Sequence, residues 1–369
     1  MQAKSGKFLH ISKKKCTFAH KLNSTMNTFG TNWTFTSFGE SHGAAIGGVL
    51  DGVPAGLKID MNLIREELER RSKGVKELRS EGVSGRALRE PDEVEWLSGV
   101  IKDDAFKDSK FKDSKFKDSK IEESKGDGRL ITLGTPIAFL IRNKDARPED
   151  YEWLKHNYRV GHADKVYEQK YGLRDWRGGG RASARETASR VVAGSIAKQE
   201  LAQKGVSIHA ELVQVGEETN PKHFEDTISS YRREGDSIGG IVECRISGLP
   251  VGIGEPIFNK LQAELAFAVM SINACKGFEY GTGFEGVSQP GSAINAISGG
   301  ISGGISDGSD IVFRCVFKPT PTTPKALEQF TIHNSQCTIH KGRHDACVAV
   351  RAVPVVEAMT ALVLVDLLS

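Results

Sequence analysis

GGGRASARETASRVVAGSIAKQEL, residues 178–201, sets three consecutive glycines in front of a charged helix start. The helix is expected over 183–204: Ala184, Ala188, Val192 and Ile196 recur at helical spacing on one face, with Arg185, Ser189 and Lys198 elsewhere. Ala193, Gly194, Ser195 and Ala197 keep its surface small, which lets packed layers approach closely. Backbone N–H groups at such a start point outward unpaired, and with Arg181 and Arg185 beside them they make an anion site. Taken alone, the residues read equally as a phosphate cradle and as a glycine-rich loop with solvated arginines.

Outward from this segment, helical and strand patterns mix. Asp60 is placed to cap a helix running through Arg71, with Leu63, Ile64 and Leu68 inward, and further helices are expected at 164–171, 223–234, 256–271 and 345–367. Strands are expected at 33–38, 45–53, 207–215, 238–247 and 311–318, with VEWLSGV (94–100) and LITLGTPIAFLI (130–141) also strand-like. No G-x-G-x-x-G follows the first strand and no G-x-x-x-x-G-K-[ST] occurs, so a Rossmann dehydrogenase and a P-loop kinase both fit poorly.

A chain of 369 residues can bury a substantial core. Its formal charge is +3, but residues 1–25 carry six lysines and no acid, which leaves the rest at −3 and argues against a nucleic-acid partner. Residues 1–25 are read as a basic, disordered extension, with translation starting at Met26. Six scattered cysteines without a C-x-x-C pair point to a reducing, cytoplasmic protein, and no metal site is expected. The most apolar segment is broken by Arg351, Pro354, Glu357 and Asp366, so no membrane partner is expected. FKDSK repeats three times over 106–120; its five-residue period suits neither helix nor strand, and 103–125 reads as a solvated low-complexity insertion without chemistry.

Two histidines stand in polar, glycine-flanked contexts, His42 in GESHG (39–43) and His162 in RVGHAD (159–164), and each is suited to giving a proton. With these in view the chain resembles the chorismate synthase family. The resemblance covers residues 26–369 and rests on nine segments in order: FGESHG (38–43), DGVPAG (51–56), REPDEVEWLSGV (89–100), RVGHAD (159–164), RDWRGGGRASARETA (174–188), INACKGFEYGTGF (272–284), SGGISGGISDG (298–308), FKPTPT (317–322) and GRHDACVAVRAVP (342–354).

The resemblance implies one catalytic domain over 26–369 of α+β class, a β-α-β sandwich with central helices between antiparallel sheets, assembled as a homotetramer. It implies a 1,4-anti-elimination of phosphate from 5-enolpyruvylshikimate 3-phosphate (EPSP), giving chorismate with reduced FMN and no net redox change. His162 then matches the acid that protonates the departing phosphate, and His42 the residue that protonates or steadies the flavin. Asp345 matches the aspartate that assists proton removal, with Ser41 as a relay. Flavin binding maps onto Arg181, Ala182, Ser183, Asn273, Ala274, Gly303, Lys318, Pro319, Thr320, Pro321, Thr322 and Arg343. Substrate binding maps onto Arg71 and, where the chain is longer than the commonest bacterial form, onto Arg86, with Arg79 and Arg89 competing. The compact form implies flavin reduced elsewhere rather than by this chain with NADPH. A silent FMN-binding scaffold is the alternative, and it would require the loss of an essential group that this chain keeps.

Overall fold

Among the described residues the strand-like segments form two large antiparallel sheets with helices between them, and two smaller sheets beside these. The structure, a computed structural model, describes residues 27–74, 92–103, 129–144, 146–159, 161–294, 298–326 and 345–369. The basic extension with Met26, the FKDSK repeats and Arg79, Arg86, Arg89 and Arg343 lie outside these residues.

The first sheet runs in the order β1 (Thr28–Phe29), β2 (Thr34–Gly39), β3 (Ala45–Asp51), β8 (Ile137–Arg142), β5 (Val94–Trp96). The second runs β11 (Cys275–Tyr280), β14 (Ile311–Phe317), β10 (Gly240–Ser247), β9 (Ser207–Val215). A three-stranded sheet joins β4 (Lys58–Ile59), β7 (Leu130–Thr132) and β6 (Val100–Lys102), and β12 (Ile301–Ser302) pairs with β13 (Ile305–Ser306). In β10 and β14 every second residue is buried, Val242, Cys244 and Ile246 on one strand and Phe313, Cys315 and Phe317 on the other, so one face of this sheet meets the core.

The α-helices of eight or more described residues are α1 (Met61–Lys73), α2 (Asp164–Tyr171), α3 (Thr187–Gln203), α4 (Phe224–Arg233), α5 (Leu261–Met270) and α6 (Ala349–Leu367). Asp60 caps α1 through Asn62 N at 2.8 Å, as its sequence position predicts. Helix α3 packs on β2 and β3, α6 packs on β9 and β10, and the two helices lie against each other. Their crossing depends on Gly194, where a Cβ would stand 2.3 Å from that of Ala358. Both helices are buried on nearly every side, Ser189 included, so the one-sided face expected for 183–204 gives way to a helix surrounded by protein. Among the described residues no helix is long and apolar enough to cross a membrane.

Two anchors hold the layers. The buried Glu357 of α6 accepts from Arg70 of α1 at 2.9 and 3.0 Å, from Lys198 of α3 at 2.6 Å and from Ala210 N of β9 at 2.9 Å. Burial pushes its pKa up, but Arg70 and Lys198 outweigh that and hold it low. At the far end of α6 the Asp366 carboxylate accepts the backbone N–H groups of Thr31, Asn32 and Trp33.

Several boundaries differ from the sequence pattern. VEWLSGV and LITLGTPIAFLI each split into two strands belonging to different sheets. Gly99 (φ +79°) and Gly134 (φ +73°) make the breaks, and a Cβ at Gly99 would stand 2.6 Å from the Pro136 carbonyl, so the two bends pack together. Helix α5 begins at Leu261 because Asn259 takes a left-handed φ of 55°. Helix α3 begins at Thr187, after two 3₁₀ turns over Gly180–Ala182 and Ala184–Glu186.

Candidate active site

The loop between β2 and β3 carries Ser41 and His42, both buried. Asn143 Nδ2 fixes that loop by donating to the Glu40 and Gly43 carbonyls at 2.9 and 3.0 Å. Ser41 Oγ donates to the Gly178 carbonyl at 3.2 Å and stands 3.1 Å from His42 Nδ1. With its single proton used on Gly178, the serine receives that second bond from Nδ1–H. The His42 ring meets Tyr151 edge-on at 4.7 Å between centroids.

All three glycines of the 178–180 run have positive φ, and each abuts a different polar side chain. A Cβ at Gly178 would stand 1.8 Å from His42 Nδ1; one at Gly179 would stand 2.8 Å from Arg159 Nη2 and 2.9 Å from His162 Cε1; one at Gly180 would stand 3.0 Å from Glu40 Oε2. One glycine turn thus seats both histidines. Burial raises the Glu40 pKa, with Arg181 opposing it. His162 stands 3.0 Å from Asp164 Oδ1 and 3.1 Å from Arg159 Nη2, both through Nδ1.

The anion cradle expected at the start of this segment takes a different form. The amides of Ala182, Ser183 and Glu186 bond to the carbonyls of Gly179, Gly180 and Ser183, and that of Arg185 to Ser183 Oγ, so these N–H groups are used within the two 3₁₀ turns. Arg181 donates to the Gly39 carbonyl at 3.2 Å and to Ser37 Oγ, and Arg185 pairs with Asp92 and donates to Asn143 Oδ1 at 3.1 Å. Neither arginine is solvated; both brace the first sheet and its loops.

Arg71 is buried, with Nη2 3.1 Å from Asp92 Oδ2 and Nη1 donating to the Ala184 carbonyl at 3.2 Å. Burial lowers its pKa to about 10 despite Asp92, with Arg351 and Arg185 adding to the fall. Asp92 itself would rise on burial, yet Arg71 and Arg185 pull it below its ordinary value. Arg351 holds Asp345 at 2.7 Å and donates to the Arg71 carbonyl at 3.0 Å. Arg71, Thr187, Asn273, Asp345 and Arg351 line one cleft. In it Arg71 Nε and Asn273 Oδ1 are buried polar atoms without a hydrogen-bond partner.

Residues 318–322 join the cleft to His162. Lys318 N donates to the Ala274 carbonyl at 3.0 Å, Thr320 Oγ1 donates to the Asp345 carbonyl at 3.0 Å, and Pro321 packs where a Cβ on Gly161, next to His162, would stand 2.6 Å away. Ala274 holds a left-handed φ of 68°, costly for a residue with a side chain. Asn273 Nδ2 donates to the Ala182 carbonyl at 3.1 Å, which ties Ala182 and Ser183 to the same region. Gly303 is apart: its hairpin bonds to Pro250, Gly252, Ile253 and Leu261. Arg159, Asp164, Asp92 and Arg351 were not singled out by sequence reasoning, although each lies within a quoted motif.

A family model described as Chorismate synthase matches residues 33–108 and 111–368. A Christiangramia forsetii chorismate synthase is 44% identical over 376 residues, covering 92% of this chain and 96% of that protein. A Porphyromonas gingivalis chorismate synthase is 44% identical over 382 residues, covering 92% and 95%. A crystal structure of chorismate synthase superposes with a TM-score of 0.65 at 28% identity, covering 92% of each chain.

Proposed function

Because the chain belongs to the chorismate synthase family, whose members are lyases, we propose that it converts EPSP to chorismate by 1,4-anti-elimination. The C3–O bond breaks to release phosphate, a hydrogen leaves C6, and a new double bond forms with no net oxidation. The observation that carries this reading is the linkage of His162 to the arginine cleft through residues 318–322, with His42 seated on the same glycine turn as His162.

The chain's own groups divide the work. Arg71 and Arg351 supply positive charge for the substrate carboxylates, with charge-assisted bonds worth about 1.5–3 kcal/mol each. His162 gives a proton to the leaving phosphate, with the Arg159 guanidinium beside it to stabilise the charge that develops there. Arg351 holds the Asp345 carboxylate in place to accept a proton, and Ser41 links His42 to the glycine turn. Arg86, Arg79 and Arg89 remain the candidates for further substrate contacts.

The cleft's unpartnered Arg71 Nε, a donor, and its guanidinium groups suit an anionic flavin, and the unpartnered Asn273 Oδ1 suits a flavin N–H. The segment Arg181–Ser183, with Asn273, Ala274, Arg343 and Lys318 through Thr322, would hold it, Arg181 bracing the wall from behind. Reduced FMN, when bound, supplies an electron-rich partner for loss of the C6 hydrogen. The enzyme works as a cytoplasmic homotetramer on flavin reduced elsewhere, with residues 26–369 as its single catalytic domain. Anaerobic incubation with EPSP and chemically reduced FMN should release phosphate and raise chorismate absorbance, while oxidised FMN with NADPH should not. Absence of phosphate release with reduced FMN overturns the reading.

A further inference from the structure

Asp164 is the first residue of α2, and its side chain is 3% exposed. One carboxylate oxygen accepts from Arg159 N at 3.0 Å and Nε at 2.9 Å; the other accepts from Arg159 Nη2 at 2.8 Å and stands 3.0 Å from His162 Nδ1. Burial works against this charge, but the Arg159 and His162 bonds hold the carboxyl far below its ordinary range. His162 therefore does not stand alone.

The geometry sets two arrangements in competition. Arg159 Nη2 lies 3.1 Å from the same His162 Nδ1, and a guanidinium only donates. If the neutral ring carries its proton on Nε2, Nδ1 accepts from Arg159 and turns its lone pair toward the Asp164 carboxylate. If the proton is on Nδ1, it is given to Asp164, and Arg159 is satisfied by the same carboxylate through three other bonds. The second arrangement pairs every group, and it is also the one left after an imidazolium has given up its Nε2 proton. The ring rests on Gly179, where any side chain would push it away.

We propose that Asp164 is a positioning residue for His162: shared with Arg159, it keeps the Nδ1 proton and makes Nε2 the atom that protonates the departing phosphate. Arg159 in turn is held by Asp164 with its charge beside the ring. This rests on the assignment of His162 as the proton donor.

The test is a double-mutant cycle on the full chain with reduced FMN and EPSP. Asp164→Asn should lower kcat about 10- to 100-fold, part of what a general acid contributes, while KM for EPSP stays within about twofold. In a His162→Ala background the same change should cost no further turnover. Equal losses in both backgrounds, or a loss confined to KM, overturn the proposal while leaving His162 as the acid. A His162→Ala enzyme with unchanged turnover instead removes the acid assignment. A measurement on the unmutated protein covers the case in which Asp164→Asn does not fold: in ¹⁵N-histidine-labelled enzyme, neutral His162 should show the Nδ1–H tautomer. The Nε2–H tautomer there overturns the proposal.

Discussion

The two halves of the site are held by different means. At Gly178, Gly179 and Gly180 the chain leaves out atoms, so that His42, Arg159, His162 and Glu40 sit where a Cβ would be 1.8–3.0 Å from them. Around Arg71 it adds charges instead: Arg71 on Asp92 at 3.1 Å, Arg185 on the same carboxylate, and Arg351 on Asp345 at 2.7 Å. A steric seat is insensitive to acid and salt but intolerant of a single methyl group. A charge-paired seat tolerates small shifts in shape but fails when one partner loses its charge.

The largest effect is expected at the glycine seat. Gly178→Ala puts a methyl on His42 Nδ1 and forces an alanine to φ +61°, so turnover should fall about 100-fold or more through displacement of the ring. Steady-state phosphate release measures it, and a variant of ordinary activity would show that the histidine is not fixed by this contact. Next comes Asp92→Asn, which leaves two buried guanidinium groups without their shared counter-charge. A loss of about 3–5 kcal/mol in urea unfolding is expected. Salt should not restore it, since the pair is shielded from solvent.

The wild-type response to acid sharpens the contrast. Asp92, Asp164 and Glu357 are all held below their ordinary values, so the unfolded chain binds more protons as pH falls. Their stabilisation is present above about pH 4 and is lost progressively below it. Unfolding followed against pH should show this acid limb, and Asp92→Asn should flatten it. The smallest effect is expected outside both halves. Strands β6 and β7 pair through Lys102↔Leu130, and Asp103 N donates to the Arg129 carbonyl at 3.0 Å, so the two ends of the repeat-bearing segment are already neighbours. Replacing 104–128 by Asn-Gly, which closes that hairpin, should leave turnover and assembly unchanged; a large loss of either would give the insertion a structural role.

Much of the frame was legible because it depends on local pattern. Helix α2 and strand β9 begin and end where spacing placed them, and the small residues of 187–203 announced a helix at the centre of the layers. The split of 94–100 and 130–141 was not legible, because the bend at Gly99 is explained only by its contact with the Pro136 carbonyl. The two histidines stood out by their polar, glycine-flanked surroundings, and the fold seats both against one glycine turn. Arg181 and Arg185 were identified as residues but misjudged in direction. Their partners Ser37 and Asp92 lie 144 and 93 residues away, and a guanidinium beside glycines looks the same in sequence whether it faces water or a buried acceptor. Asp92, Arg159, Asp164 and Arg351 were passed over because their value comes from three-dimensional pairing.

Helix α6 also bears on how the protein is made. It follows every other core element in the chain, yet it fills the space between the sheets and carries both Glu357 and Asp366. During translation the apolar inner faces of β9, β10 and β14 therefore emerge from the ribosome well before the helix that will cover them. The nascent chain passes through a stage with these apolar faces open to water. Premature termination anywhere before residue 349 would leave no sandwich to inherit, however much of the catalytic machinery had already been synthesised.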